Sequence, residues 1–292
     1  MPKGSKAFKT TLKVIISLLL LYFVFSKLGT KALWNTLKQV SILHFVVAFL
    51  LVLASKAIAH LRLLHYLNAI TINIPRLTHW KLYLQGMFYN LFLPGGIGGD
   101  AYKAYILSKQ FDVKTKNIIS ALVVDRLSGM IALGSYTLIL FSAYLSRYPI
   151  EVLPKSLVYT GLLSPLIIGG FYGFNKLWFK ATLKAFKTTT LLSFALQGLQ
   201  ILATYVLLVG LGESQKVWGY LLLFTLSSVV SVLPISLGGI GLRELTFFYG
   251  AQWLFIDTET AVALSLLFFS ANALVSLLGL RYHLQPPFQR TS

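Results

Sequence analysis

The sequence predicts an all-α integral membrane protein built from two inverted repeats, each with three membrane spans and one glycine-broken re-entrant hairpin. Three observations lead to this fold class. Hydrophobic residues make up 56% of the 292 residues and charged residues 12%, with a mean hydropathy of +0.74. Long apolar runs without charge recur along the whole chain, and a Gly-Gly-Ile-Gly segment occurs twice. A soluble globular protein has neither this composition nor these runs.

The chain carries a large excess of basic residues. Lys and Arg number 26 against 8 Asp and Glu, which gives a formal net charge of +18. Cytoplasmic loops of membrane proteins collect Lys and Arg and contact anionic lipid, so this charge requires no nucleic-acid partner. The chain has no cysteine, and its His residues lack metal-binding spacing. We therefore expect no metal and no other cofactor.

Eight charge-free runs are candidate spans, because about 20 apolar residues cross the hydrocarbon core. The runs are residues 14–26, 39–55, 82–99, 127–146, 156–175, 188–212, 217–242 and 260–280. The first run follows several Lys residues, as in a signal peptide, but lacks a small-residue cleavage pattern, so we interpret it as a retained helix. We expect one membrane domain over residues 1–292, with repeats at 12–146 and 155–282.

Two of these runs contain helix-breaking residues. Residues 93–100 read Leu-Pro-Gly-Gly-Ile-Gly-Gly-Asp, and residues 233–241 read Leu-Pro-Ile-Ser-Leu-Gly-Gly-Ile-Gly. Such breaks are tolerated at membrane depth only where protein or a watery cavity satisfies the freed backbone groups. We predict a re-entrant hairpin at each break, with eight full spans as the alternative. The residues expected to form the re-entrant backbone are Pro94, Gly95, Gly96, Gly98, Gly99, Pro234, Gly238, Gly239 and Gly241.

The distribution of Lys and Arg separates these two topologies. Eight crossings leave the basic residues without any bias between the two sides, whereas six spans plus two re-entrant hairpins place two basic clusters and both termini in the cytoplasm. Lys27, Lys31 and Lys38 then lie on the opposite side. The clusters are Lys103, Lys109, Lys114 and Lys116, and Lys176, Lys180, Lys184 and Lys187.

The Gly-Gly-Ile-Gly segments begin at Gly95 and Gly238, 143 positions apart. The same shift brings each apolar run of the first half onto a run of the second half. A unit that crosses the membrane three times ends on the side opposite to its start. The second copy is therefore inverted relative to the first, as in transporters whose broken helices meet near the bilayer midplane. The alternative is that this four-residue identity is a coincidence.

Three segments stand out together: Leu93 to Asp100 with Lys103, Asp125-Arg126 with Gly129, and Leu233 to Glu244. They resemble the transmembrane region of the lysylphosphatidylglycerol synthase/flippase family, including its stand-alone bacterial members. The resemblance covers nearly the whole chain and implies lipid translocation in the bacterial inner membrane. Full-length family enzymes carry a soluble aminoacyltransferase domain after the membrane part, whereas residues 281–292 alone follow the last run here. The resemblance therefore implies translocation without aminoacylation, and it leaves open which lipid is moved.

The charges beside the two breaks are candidate substrate contacts. Arg243 is the preferred anion site, because a guanidinium holds a phosphate with two hydrogen bonds. Glu244 and Asp100 would balance this charge, bind an amine or carry a proton. Lys103 follows the first break. The structural alternative for these four residues is an ion pair that joins the hairpin tips.

Two further features could contact a headgroup. Asp125 and Arg126 lie either one to two turns inside a span or at its interface, and neighbouring helix positions give them different partners. Helices that begin after Gly98-Gly99 or after Gly241 would present backbone N–H groups to a phosphate or carboxylate. The alternative for these glycines is close helix packing.

These residues predict a lipid flippase that moves a polar-headgroup lipid, a phospholipid or a lipid-linked glycan, by alternating access. We expect no enzymatic activity. Without an ATPase motif, transport is passive, ion-coupled or driven by a partner, and a separate synthase would supply the lipid. A homo-oligomer could form through the Gly169 face. The alternatives are a small-solute secondary transporter, a membrane-embedded lipid-modifying transferase and a purely structural membrane partner.

Overall fold

The computed structural model describes residues 15, 18–28, 30–92, 98–149, 153–232, 241–283 and 288, and these residues form helices and no strand. Short 3₁₀ helices, Lys155–Leu163 and Lys180–Ala185, lead into the α-helices that begin at Ser164 and Phe186. The all-α class predicted from the apolar runs is confirmed. The helices are α1 (Leu18–Lys27), α2 (Thr30–Gln39), α3 (Ile42–Ala69), α4 (Arg76–Phe92), α5 (Gly98–Gln110), α6 (Thr115–Arg147), α7 (Ser164–Trp178), α8 (Phe186–Gly210), α9 (Val217–Val230), α10 (Leu242–Trp253), α11 (Thr258–Leu277) and α12 (Leu280–His283).

Among the described residues, five helical segments are long and apolar enough to cross a membrane. They are Ile42–Ala69, Thr115–Arg147, Lys155–Trp178, Lys180–Gly210 and Thr258–Tyr282. The shorter helices α1 and α9 are also apolar. The chain is therefore a multi-pass membrane protein.

Two of these helices extend well beyond the runs that predicted them. The run 39–55 stops before Lys56, whereas α3 continues to Ala69 and buries Leu63 and Leu67 completely. Helix α6 begins at Thr115, so Asp125 lies about 15 Å along it at the usual rise per residue. Both helices thus carry charged residues within their length.

Helices α3 and α8 pack against each other over most of their length in opposite directions. The Gln200 side-chain amide of α8 donates to Ser55 Oγ of α3 over 3.4 Å, and Arg62 Nη1 of α3 donates to Ser193 Oγ of α8 over 3.1 Å. The later residue of α3, Arg62, thus contacts the earlier residue of α8, Ser193, so the two helices are antiparallel. This antiparallel pair forms the centre of the fold.

Helices α4 and α5 form a second close antiparallel pair. The backbones approach so nearly that a Cβ atom on Gly99 would lie 1.9 Å from the carbonyl oxygen of Gly86. The Gly99 N–H donates to Asn90 Oδ1 over 2.7 Å, and the rings of Tyr89 and Tyr102 lie 4.4 Å apart. Gly99 is therefore a packing residue, which is one of the two roles expected from the sequence.

Of the predicted break residues, Gly98, Gly99 and Gly241 are among the described residues. Gly98 and Gly99 open α5, and Gly241, with a φ of 83°, precedes α10. This positive φ is one that side-chain-bearing residues rarely adopt. Helix α10 packs against α9. Six of the predicted break residues lie outside the described residues: Pro94, Gly95, Gly96, Pro234, Gly238 and Gly239.

Two apolar cores lie along the molecule, with polar side chains between them. The first core contains Val52, Leu145, Leu207, Phe224, Phe247 and Val275. The second contains Leu63, Leu67, Leu82, Leu107, Ile118 and Phe171. Along α3, α6 and α8, the segments that connect the cores hold a set that we call the polar layer: Ser55, Lys56, Arg62, Asp125, Ser128, Ser193, Gln197 and Gln200.

Candidate functional site

Asp100, Lys103 and Arg126 form one cluster of charges, the Asp100 cluster, where α5 meets α6. Lys103 Nζ lies 2.6 Å from Asp100 Oδ1, and Arg126 Nε contacts Asp100 Oδ2. Lys103 Nζ also lies 5.2 Å from the centre of the Tyr83 ring. Lys103, a predicted substrate contact, is buried within α5. Its charge is accommodated because Asp100 lies one helical turn earlier.

A cavity of about 590 Å³ borders this cluster, and we call it the lateral groove. Asp100 and Arg126 are the charged residues in its lining. Its other walls are apolar and include Ile119, Val123 and Met130 of α6, whose side chains are exposed. In a membrane-spanning helix, exposed apolar side chains face lipid. The groove therefore joins an ion pair to a lipid-facing apolar surface.

The pair of Arg62 and Asp125 lies deeper, between α3, α6 and α8. Arg62 donates to both carboxylate oxygens of Asp125, over 2.8 and 3.1 Å, and the two side chains are 8% and 12% exposed. Ser193 Oγ accepts from Arg62 and donates to Ser128 Oγ. A Cβ atom on Gly129 would lie 2.9 Å from Arg62, so this glycine admits the guanidinium.

Asp125 and Arg126 therefore have different partners, as expected for adjacent residues on a helix. Asp125 points into the polar layer, and Arg126, whose side chain is 35% exposed, borders the lateral groove. The sequence analysis did not single out Arg62. The signal that could have found it is the apolar periodicity of residues 57–69, which continues the helix through the charges.

Arg243 lies at the start of α10 and has no carboxylate partner among the described residues. Its guanidinium stacks on two aromatic rings, 5.2 Å from the centre of Phe224 and 4.7 Å from that of Phe268. Its Nε and Nη2 atoms are buried and make no hydrogen bond within the described part of the chain. Lys56 of α3 is close enough for electrostatic repulsion. Glu244, the next residue, acts on Arg243 electrostatically but makes no hydrogen bond to it.

Glu244 does not balance Arg243 by direct contact. Its Oε2 accepts the Gly241 N–H over 2.7 Å, and its Oε1 accepts the Ser265 hydroxyl over 3.1 Å. Both glycine N–H groups that the sequence offered to an anion, those of Gly99 and Gly241, thus bind the chain's own side chains.

Across the described residues, no salt bridge joins the two hairpin regions. Asp100 pairs with Lys103 and Arg126, whereas Arg243 and Glu244 pair with neither of the first-region charges. The ion pair between hairpin tips, expected as the structural alternative, is not present among these residues. The two charge centres are therefore separate.

The chain matches one protein-family model, described as the lysylphosphatidylglycerol synthase TM region, over residues 10–189. The match covers more than half of the chain and includes the Asp100 cluster and the Arg62–Asp125 pair. It ends in α8, before Arg243. No curated protein sequence matches the chain.

Proposed function

Because the chain belongs to the lysylphosphatidylglycerol synthase transmembrane family, a membrane family linked to lipid handling, we propose that it moves a polar-headgroup lipid between the leaflets of a bacterial inner membrane. The lateral groove carries this proposal. A lipid head requires polar partners while its acyl chains stay in hydrocarbon, and the Asp100–Arg126 pair beside exposed apolar side chains meets both needs. A closed path for a small solute needs no lipid-facing apolar wall.

Helix boundaries support the two repeats. Shifting α5, Gly98–Gln110, by 143 residues gives 241–253, and α10 covers Leu242–Trp253. The same shift moves the start of α6 from residue 115 to residue 258, where α11 begins. It moves the start of α3 to residue 185, one residue before α8. If the Gly-Gly-Ile-Gly identity were a coincidence, the bounds of three further helix pairs would have no reason to match under the same shift.

The antiparallel packing of α3 and α8 supports the inversion of the second repeat. The shift makes these two helices equivalent, and equivalent helices that run in opposite directions belong to oppositely oriented units. Under the shift Lys56 corresponds to Leu199, and these residues adjoin the Ser55–Gln200 contact. Lys56 therefore lies beside the crossing point of the two units.

Helix lengths support re-entrant hairpins. Helices α4, α5, α9 and α10 have 17, 13, 14 and 12 residues. At the usual rise they are about 18 to 26 Å long, shorter than the hydrocarbon core of about 30 Å. In the proposal, α4–α5 and α9–α10 each enter and leave on one side. This gives six spans with both termini cytoplasmic.

In the proposed mechanism, a headgroup enters at the Asp100 cluster and passes along the polar layer towards Arg243 while its acyl chains remain in the bilayer. Rocking of one repeat against the other about α3 and α8 exposes the head to each leaflet in turn. The lipid is moved without covalent change. A separate synthase supplies it, and the movement is passive, ion-coupled or driven by a partner.

Leaflet exchange in reconstituted liposomes tests this function. Wild-type protein is compared with Arg126→Gln, which removes a charge from the groove, and with Lys109→Gln, which removes an exposed charge from α5 outside the groove. We expect protein-dependent exchange of acyl-labelled lipid that falls roughly tenfold in Arg126→Gln and is unchanged in Lys109→Gln. Absence of exchange for every lipid, with and without an ion gradient, would favour a solute transporter.

A further inference from the structure

The carboxylates inside the membrane region are already occupied by the chain itself. Among the described residues of the helical core, Asp125 and Glu244 are buried, and Asp100, with a side chain 14% exposed, borders the lateral groove. Asp100 accepts from Lys103 and Arg126, and Asp125 accepts from Arg62 through both oxygens.

The third carboxylate, Glu244, is occupied in the same way by Gly241 and Ser265. Each of the six oxygens of these three carboxylates thus has a protein donor. The other described acidic residues lie in connections or at the start of α11: Asp112, Glu213, Asp257 and Glu259. A headgroup ammonium would therefore share or displace a protein donor at every carboxylate oxygen of the described core.

The buried cations, unlike these carboxylates, include nitrogens without a hydrogen-bond partner among the described residues. Arg243 has two buried nitrogens without a hydrogen-bond partner among the described residues. Lys56 makes no salt bridge within the same set and lies within electrostatic range of Arg243. Buried donors without acceptors are costly. Stacking on Phe224 and Phe268 offsets part of this cost but provides no acceptor.

Within the described helical core, hydrogen-bond donors of Arg243 therefore lack acceptors, whereas every carboxylate oxygen has a donor. A ligand that supplies oxygen acceptors and negative charge would satisfy these donors, and a phosphate matches the two-donor geometry of a guanidinium. A ligand that also carries an ammonium would add a further positive charge beside Arg243.

We infer that Arg243 binds the phosphate of an anionic lipid whose headgroup carries no ammonium, and that the protein discriminates against zwitterionic and aminoacylated lipids. This inference rests on the proposed function, since it names the substrate class of the same pathway. A phosphodiester and a terminal phosphate offer the same oxygen acceptors, so both are members of the class.

The test compares four lipids that share acyl chains and label: phosphatidylglycerol, phosphatidic acid, phosphatidylethanolamine and lysyl-phosphatidylglycerol. We expect the two anionic lipids to exchange roughly tenfold or more faster than the two that carry an ammonium. Relative rates of the two anionic lipids separate the phosphodiester from the terminal phosphate. Equal or faster exchange of the ammonium-bearing lipids overturns the inference while the proposed function stands.

Variants locate the selectivity. Arg243→Gln should slow anionic exchange and bring the four rates together, whereas Arg243→Lys should retain part of the preference because it keeps the charge. Lys109→Gln, which removes an exposed positive charge on α5, is the matched control. Unchanged preference in Arg243→Gln overturns the assignment to this residue.

A binding measurement separates the inference from transport. Purified protein is heated in neutral detergent micelles doped with phosphatidic acid or with phosphatidylethanolamine, and the midpoint of thermal unfolding is recorded. Stabilisation by phosphatidic acid alone, lost in Arg243→Gln, supports the headgroup class even if no lipid is exchanged. Equal stabilisation by both lipids, or by neither, overturns it.

Discussion

The starts of α5 and α10 occupy matching places along the chain but carry opposite charges. Asp100 and Arg243 are 143 positions apart, the same offset that separates the two Gly-Gly-Ile-Gly segments. Asp100 contacts two cations, Lys103 and Arg126. Arg243 contacts two aromatic rings and has no carboxylate partner among the described residues. Asp100 thus makes two salt bridges, whereas Arg243 makes none among the described residues.

This difference predicts that the two charges affect stability unequally. A carboxylate with two cationic partners stabilises the packing of its helices, and removing it leaves those partners uncompensated. A buried guanidinium without a hydrogen-bond acceptor is retained at a cost that its stacking on Phe224 and Phe268 offsets only in part. Substitutions in the two regions should therefore change stability by different amounts.

Asp100→Asn should have the largest effect on stability. It leaves buried Lys103 without a counter-charge, which costs about 3–5 kcal/mol of unfolding free energy for a broken buried pair. Unfolding in micelles of increasing SDS content measures it. Asp112→Asn, an exposed acid in the α5–α6 connection, is the control. Adding Lys103→Met to Asp100→Asn should recover part of the loss, and equal stability of Asp100→Asn and Asp112→Asn would contradict the comparison.

Gly99→Ala should come second, because the added methyl meets the carbonyl oxygen of Gly86 on α4. Forcing the two helices apart costs about 1–3 kcal/mol, the usual range for overpacking. Gly170→Ala is the matched control, since a Cβ atom there has no neighbour within 4 Å. The same SDS titration measures both. If Gly99→Ala is as stable as the control, the close α4–α5 approach is wrong.

The sequence predicted those parts of the fold that depend on local patterns. Apolar runs located the helices, and Gly98 and Gly99, two of the predicted break residues, open α5. The different partners of Asp125 and Arg126 followed from helix geometry alone. These features need no knowledge of which helices become neighbours.

Features that depend on tertiary partners were missed or misplaced. Arg62 was overlooked because the charge-free run ended at Lys56, and a buried arginine is acceptable only through Asp125, 63 residues away. Lys103 was predicted as a candidate substrate contact and as part of a cytoplasmic basic cluster, but its salt bridge with Asp100 and its burial in α5 were not foreseen. The surroundings of Arg243, two aromatic rings and no hydrogen-bond acceptor for Nε and Nη2 among the described residues, likewise depend on which helices become neighbours.

Glu244→Ala should have a smaller effect than either change at α5. Two hydrogen bonds are lost, from Gly241 N–H and from Ser265, at a cost of about 1–2 kcal/mol for a capping interaction. Glu244→Gln keeps an oxygen acceptor for the N–H and should recover most of this stability. Comparable losses in both variants would show that the charge of Glu244, and not its capping, stabilises α10.

Arg243→Met should have the smallest effect on stability, and it defines the comparison most sharply. The substitution removes a buried cation without a described carboxylate partner and keeps an apolar chain between Phe224 and Phe268, so the unfolding free energy should change by at most about 1 kcal/mol. Lipid exchange should nevertheless fall as in Arg243→Gln. Phe268→Leu, which removes one stacking ring and keeps the charge, is the control for packing. A loss of stability as large as that of Asp100→Asn would mean that Arg243 is a structural charge like Asp100, and the asymmetry between the two regions would then carry no information about the substrate.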